Sequence, residues 1–254
     1  MRTLHNDLSS SYNAEQGKQI LAKTLIVTPM KKEFSVLSDY LSNEGHAMKN
    51  RADKVQAAWL PDFKLLIAVA GHGKAMFAAT TQYLVDRHGP FALIMAAGTA
   101  GALHGALRPG DVVLATETVE HDYKSRFAGH APPPRHACCP VARKGILNTY
   151  GGDGTFRLHV GAIASGDEDI VDPKRARQLQ QETDALCVAW EGAGGARAAR
   201  FNGIPFIEVR AVTDAADASA PESFCAHLEQ AVSNIARVLL PWLRSRRIAK
   251  NSGC

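Results

Sequence analysis

The chain has 254 residues, of which 46% are hydrophobic and 21% are charged, with a formal net charge of +4. This composition supports one large core, and no shift in composition marks a second domain. Part of the excess of basic residues lies in the tail and not along a face rich in aromatic residues, which argues against nucleic acid as a partner. No apolar run approaches the ~20 residues of a membrane span.

We therefore predict a single α/β domain at residues 23–243, between a flexible leader at 1–22 and a basic tail at 244–254. The leader is polar and lacks the apolar region of a secretory signal. The five cysteines are an odd number without metal-ligand spacing, which favours reduced thiols in a cytoplasmic protein.

The first predicted strand is the β-branched run 23–28. Pro29 ends it, and apolar residues recur at helical spacing over residues 30–41, which predicts a helix. Glu33 falls in the first turn of this helix, at the carboxyl edge of the strand. It either complements the helix dipole or takes part in chemistry at that edge.

Two further strands are predicted at residues 54–60 and 63–70, joined by Pro61 and Asp62 as a hairpin, so part of the sheet should be antiparallel. The turn at residues 71–74, Gly-His-Gly-Lys, then opens a helix at 75–88. Such a turn suits close approach by a ligand or anion, but this one is neither a full phosphate loop nor a dinucleotide fingerprint, which favours a simple tight turn.

Residues 91–97 form an apolar strand that leads into the small residues 98–102, which leave room for a ligand against the backbone. After a turn at 107–111, another strand is predicted at 111–119. Residues 120–150 show no clear pattern, and we interpret them as a long irregular segment of the kind that forms lids or interfaces.

The regular pattern returns with a strand at 158–164, a helix after Pro173 and a strand at 185–190. A helix rich in small residues follows at 191–200 and ends at Gly203. The last predicted helix runs from Pro221 to about Leu243.

Between these helices, the buried strand 206–212 runs out into a Thr-Asp-Ala-Ala-Asp loop. Asp214 therefore lies at the carboxyl end of a central strand, where ligands bind in α/β sheets, and is a candidate general acid. The alternative is that Asp214 only caps the following helix.

Five short segments resemble, in type and in order, the signature segments of the nucleoside phosphorylase/nucleosidase family, and most closely those of the 5′-methylthioadenosine/S-adenosylhomocysteine nucleosidases. The resemblance extends over nearly the whole chain and is weakest between residues 121 and 157. The segments are 28–33, 97–101, 165–167 with Ile170, 188–191 and 210–214.

The resemblance implies a nucleoside phosphorylase-like three-layer sandwich with a central mixed sheet flanked by helices. It also implies a cytoplasmic homodimer that hydrolyses an adenine nucleoside without cofactor or metal, in methionine salvage. In this reading Asp214 protonates the departing purine, Glu33 orients the attacking water and Glu191 grips the ribose hydroxyls. The implied substrate-binding residues are Gly101, Ile170, Thr99 and Met30.

Phosphorylases of the family carry arginines for phosphate after strand one and before the glycine segment. Here strand one ends in Thr-Pro-Met and the second position is Ala96, which favours water as the nucleophile. Lys31, Lys32 or Lys74 are possible substitutes, so a phosphate-dependent enzyme stays an alternative.

Several positions depart from the nucleosidase pattern. Trp190 stands where the family has methionine under the sugar, and it either stacks on the ligand or is a core aromatic. Asp169 replaces a stacking aromatic, and Ala189 replaces an acidic residue.

Two further hypotheses are a non-catalytic nucleoside-binding protein and an unrelated enzyme that binds a phosphorylated ligand at residues 71–74. The histidines at 121, 130 and 136 are interpreted as solvated loop residues rather than metal ligands.

Overall fold

The computed structural model describes residues 23–44, 46–51, 54–123, 131–152 and 154–248. The predicted leader and the end of the basic tail lie outside these ranges. The strands are β1 (Thr24–Thr28), β2 (Lys49–Arg51), β3 (Ala57–Leu60), β4 (Leu65–Val69), β5 (Leu93–Ala102), β6 (Val112–Glu120), β7 (Arg135–Ala137), β8 (Leu158–Ser165), β9 (Ala185–Ala189) and β10 (Phe206–Asp214). The helices are α1 (Lys31–Asn43), α2 (Lys74–His88), α3 (Pro140–Thr149), α4 (Pro173–Thr183), α5 (Gly192–Phe201) and α6 (Ala220–Ile248).

The strands form one mixed sheet. Strands β10, β5, β1 and β4 lie side by side and run parallel, and β3 and β2 extend this row in antiparallel pairing. Strands β6, β8 and β9 connect β10 back to β5, so five strands close into a ring. The closed ring fixes where the carboxyl ends of β5 and β10 lie relative to one another.

Helices flank the sheet in two groups. Helix α6 packs on β10 and contacts α1 and α3, whereas α2 packs against α5, which in turn contacts β10 and β5. The small residues of α5 allow α2 to pack closely against it. A Cβ atom at Gly194 would lie only 2.3 Å from the carbonyl oxygen of Lys74 in α2. These features confirm the predicted α/β class with a mixed sheet between helices.

The prediction that residues 120–150 are irregular was wrong for part of the segment. Strand β7 pairs with β6, and Pro140 occupies the first turn of α3. Helix α3 was not predicted because only Ala142 and Ile146 on it are buried, so its sequence shows little apolar periodicity. Residues 124–130 lie outside the described part of the chain.

Other differences concern the ends of elements. The predicted hairpin exists as β3 and β4 in antiparallel pairing, but a short 3-10 turn at Pro61–Phe63 joins them. Strand β2 was not predicted, β5 continues through Gly98 to Ala102, and α6 continues past Leu243 to Ile248. In the described ranges, no helix combines the length and the apolar character that a bilayer crossing requires.

Candidate active site

A cavity of about 640 Å³ lies where β1, β5, β9 and β10 end. Strands β1, β5 and β10 run parallel, so their carboxyl ends meet at one edge of the sheet, which is where ligands bind in this class of fold. The residues predicted from the sequence all line this cavity: Met30, Glu33, Thr99, Gly101, Ile170, Trp190, Glu191 and Asp214. The fold thus brings together side chains that are far apart in the chain, and their chemical roles stay predictions.

Glu33 is fully buried in the cavity wall. Its Oε1 accepts hydrogen bonds from the backbone N–H of Thr99 at 2.7 Å and from the Thr99 hydroxyl at 2.9 Å. Its Oε2 accepts from the backbone N–H of Met30 at 3.0 Å, which completes the first turn of α1. Glu33 therefore caps its helix and also presents a fixed carboxyl group to the cavity.

Burial raises the pKa of Glu33 above the usual 4.5, against the opposing effects of the Arg210 charge and of the hydrogen bonds from Thr99. A carboxyl group whose pKa is raised in this way holds a proton more readily than a free glutamate. Such a shift suits a general base that works near neutral pH.

Arg210 is a buried residue of the cavity lining, and its guanidinium group bonds to two buried carboxylates. Its Nε donates to Glu208 Oε1 at 2.8 Å, its Nη2 donates to Glu191 Oε2 at 3.2 Å, and its Nη1 donates to the Thr99 carbonyl oxygen at 3.3 Å. The Thr118 hydroxyl also donates to Glu208. These partners offset the cost of burying the guanidinium charge.

Gly98 on β5 makes this arrangement possible. A Cβ atom at this position would lie 2.9 Å from both Arg210 Nη1 and Glu33 Oε1, and 3.0 Å from the Pro29 ring. Any larger residue would push the guanidinium and the carboxyl group away from their present positions.

Glu191 is buried at the start of α5 and is held from two sides. Arg210 contacts one carboxylate oxygen, while His72 Nδ1 lies 3.6 Å from the other, an ion-pair distance longer than a hydrogen bond. Burial works to raise the pKa of Glu191, but His72, Arg210 and the backbone N–H of Gly73 outweigh it, and the net shift is downward. Glu191 is therefore an anion at neutral pH.

Asp214 ends β10 and is buried against β5. Its Oδ2 accepts from the Thr213 hydroxyl at 2.8 Å, and its Oδ1 accepts from the backbone N–H of Ala216 at 3.0 Å. Helix α6 begins only at Ala220, so Asp214 closes a local turn and does not cap that helix. The absence of a side chain at Gly101 lets β5 approach, because a Cβ there would lie 2.8 Å from Asp214 Oδ1.

Trp190 is half-buried and lines the cavity, with its ring edge-on to His72 at 6.4 Å between centroids. Asp169 lines the cavity from an exposed position. Other lining residues were not proposed as site residues from the sequence, and those with polar or aromatic side chains include His72, Arg210, Thr213 and Phe224. The glycine-bracketed turn at 71–74 indicates where His72 could meet a ligand, and the charged pair Glu208 and Arg210 in an apolar strand indicates a buried ion pair.

The interpretation of the histidines in the 120–150 segment as solvated loop residues was wrong for His121 and His136. His121 is buried, with neither ring nitrogen hydrogen-bonded in the described residues, and His136 lies on β7 at 3.5 Å from Glu120. His130 lies outside the described part of the chain. Among residues that are described, no group of three or more His, Cys, Asp or Glu side chains is placed to hold a metal ion.

The fold and the cavity define an α/β protein with an acidic site at the carboxyl ends of its central strands. Residues 23–244 match the phosphorylase superfamily, and the chain belongs to this family. The resemblance inferred from the sequence motifs is thereby confirmed.

Curated relatives match over most of their length. A 5′-methylthioadenosine/S-adenosylhomocysteine nucleosidase from Tolumonas auensis is 25% identical over 230 residues, which cover 86% of this chain and 97% of the relative. The same enzyme from Geobacillus thermodenitrificans is 28% identical over 239 residues, covering 87% and 96%.

Solved structures agree with the sequence comparison. The nucleosidase of Neisseria meningitidis in complex with methylthio-immucillin-A superposes with a TM-score of 0.79 at 25% identity, covering 89% of this chain and all of that one. An S-adenosylhomocysteine nucleosidase of Streptococcus pyogenes bound to 5-methylthiotubericidin gives 0.78 at 28% identity, covering 88% and 97%.

Proposed function

We propose that this protein hydrolyses the N-glycosidic bond of an adenine nucleoside of the methylthioadenosine/adenosylhomocysteine type and releases adenine. The observation that carries the proposal is the convergence of Asp214, Glu33 and Glu191 on one cavity. The relatives and the ligand-bound neighbours bearing the nucleosidase name support the same substrate class.

In this proposal each acid has a separate task. Asp214 donates a proton to N7 of the purine as the C1′–N9 bond breaks, so that the bonding electrons leave with a neutral base. Glu33, held by Thr99, orients the water that adds to the cationic sugar carbon and takes up its proton. Glu191 accepts hydrogen bonds from the ribose 2′- and 3′-hydroxyls, and its negative charge favours the positive charge that develops on the sugar.

The charges around the cavity support water rather than phosphate as the nucleophile. Among the described lining residues the basic side chains are Arg210 and His72, and both are paired with Glu191. Lys74 is bonded to Glu120 and Asp122, and Lys32 is paired with Glu229 on the surface. Lys31 is exposed and does not line the cavity, so the described basic residues that do line it already have a carboxylate partner.

The test is release of the purine base, adenine from methylthioadenosine and adenosylhomocysteine and hypoxanthine from inosine, with and without inorganic phosphate. We expect release of adenine from both adenine nucleosides, unchanged by phosphate, and a reducing sugar as the second product. Strict phosphate dependence would indicate a phosphorylase, and tight binding without turnover would indicate a nucleoside-binding protein. Activity on inosine alone would contradict purine recognition by Asp214, because a 6-oxo group offers that carboxyl group no donor.

A homodimer in the cytoplasm, acting in methionine salvage, is part of the same proposal. The thiols at Cys138, Cys139, Cys187 and Cys225 are free, as expected in a reducing compartment. Sedimentation of the purified chain tests the dimer, and fractionation of the producing cells tests the location.

A further inference from the structure

The turn between β4 and α2 has no part in the mechanism above, although it reaches the cavity. His72 lies in this turn and lines the cavity, with 63% of its side chain exposed. Gly73, with a φ of 78°, adopts a backbone conformation that other residues rarely take, and its N–H contacts Glu191. The glycine in the motif is thus needed to bring both groups to Glu191.

The sheet topology places His72 at the far end of the cavity from Asp214. Asp214 ends β10, and His72 follows β4, with β5 and β1 between these two strands. Three spacings between neighbouring strands amount to roughly 14 Å, which exceeds the length of a purine with its sugar ring. With the base at Asp214 and the diol at Glu191, the C5′ end of the nucleoside points toward His72.

The imidazole is oriented with one nitrogen toward Glu191. Because Nδ1 faces the carboxylate, Nε2 lies on the opposite side of the ring, and within the described residues it has no hydrogen-bond partner. Trp190 lies edge-on to the ring, with 6.4 Å between the ring centroids. Contact with Glu191 raises the pKa of His72 against the effect of burial, and the charges of Glu33 and Asp169 add to this, so the ring is a better donor than a free histidine.

We propose that His72 is a specificity-determining residue that selects adenine nucleosides whose 5′ carbon carries an oxygen acceptor. Its Nε2–H donates to the 5′ oxygen, while Nδ1–H stays with Glu191. A thioether sulfur accepts hydrogen bonds weakly, and a 5′-methyl group does not accept at all. The inference rests on the proposed hydrolysis of an adenine nucleoside, and it ranks a 5′-hydroxyl substrate above the thioether substrates named there.

The experiment compares kcat/KM for adenosine, methylthioadenosine and 5′-deoxyadenosine in the wild type and in His72→Leu. His72→Leu also removes the effect of His72 on Glu191, and this loss is the same for adenosine and for 5′-deoxyadenosine. The readout is therefore the ratio of kcat/KM for adenosine to kcat/KM for 5′-deoxyadenosine. We expect the wild-type ratio to exceed tenfold and to fall by about 10- to 100-fold in the variant, the range expected for one hydrogen bond to a charged donor. In the wild type the ratio should also decline as pH rises through the pKa of His72.

His104→Leu removes an exposed histidine outside the cavity and should leave the ratio unchanged. Equal losses for both substrates in His72→Leu, or a wild-type ratio near one at every pH, would overturn this inference while leaving hydrolysis in place. If the wild type releases adenine from none of the three nucleosides, the proposed function fails and the inference fails with it.

Discussion

Thr99 holds Glu33 through two hydrogen bonds to the same carboxylate oxygen, one from its backbone N–H at 2.7 Å and one from its hydroxyl at 2.9 Å. Thr99 belongs to β5, whereas Glu33 belongs to α1, the helix that follows the neighbouring strand β1. A single residue thereby fixes the orientation of the proposed base and also lowers its pKa against the effect of burial. These two effects are separable by substitution.

Thr99→Val removes the hydroxyl bond to Glu33 but keeps the backbone bond and the β-branched shape. Because a hydrogen bond to a charged group contributes about 1.5–3 kcal/mol, we expect kcat to fall by roughly 10- to 100-fold. Steady-state kinetics of adenine release measure this change. Thr99→Ser retains the hydroxyl and is the matched control, and equal losses in the two variants would contradict the role of this bond.

The pH dependence of hydrolysis should report the ionisation of Glu33. Since the base must be ionised, kcat/KM should rise with pH, and the midpoint should lie above 4.5 because burial raises the pKa of Glu33. In Thr99→Val the midpoint should move higher still, because the lost hydrogen bond had lowered this pKa. A pH–rate profile between pH 4 and 9 tests both points, and an unmoved acidic limb in the variant would count against Glu33 as the base.

Asp214→Asn removes the carboxyl group that is proposed to donate a proton to the purine, and it leaves the size of the side chain nearly unchanged. We expect kcat to fall about 10²- to 10⁴-fold, with a smaller change in the dissociation constant of adenine. Asp217→Asn is a control on the same loop, because Asp217 contacts Ser219 and does not line the cavity. Near-normal turnover by Asp214→Asn would remove the acid from the mechanism.

Arg210→Met should destabilise the protein by about 3–5 kcal/mol, because it leaves Glu208 and Glu191 buried without their shared cation. Urea denaturation followed by circular dichroism measures the change. Arg200→Met replaces an exposed arginine and should stay within about 0.5 kcal/mol of the wild type.

If Arg210→Met does not fold, the double variant with Glu208→Gln provides the comparison. It lacks one of the two buried charges, so it should recover part of the lost stability. An Arg210→Met protein as stable as the wild type would show that the carboxylates find other partners.

The convergence of Glu33 and Asp214 could be predicted from the sequence because each one follows a run of strand residues. Parallel strands end at one edge, so Glu33 and Asp214 were directed to the same place by the order of the elements alone. The class of fold followed from the same alternation of strands and helices. The family motifs added Glu191, whose position at the start of a helix carries no strong signal by itself.

Arg210 and His72 show what such a prediction misses. Glu208 and Arg210 alternate with apolar residues in β10, so both side chains leave the strand on the same face, a spacing that predicts a buried ion pair. The partner of His72 could not be inferred, because Glu191 lies more than a hundred residues further along the chain. Long-range pairs of this kind depend on tertiary packing.

The ring of five strands described above also bears on how copies of the chain can associate. Strands β5, β6, β8, β9 and β10 have neighbours around the ring, and within the described residues the open sheet edges belong to β2 and β7, each three residues long. Short edges that carry basic residues give little template for pairing with another sheet. An oligomer of this protein would therefore form through side chains on its helices and loops, and not by extending the sheet across a subunit boundary.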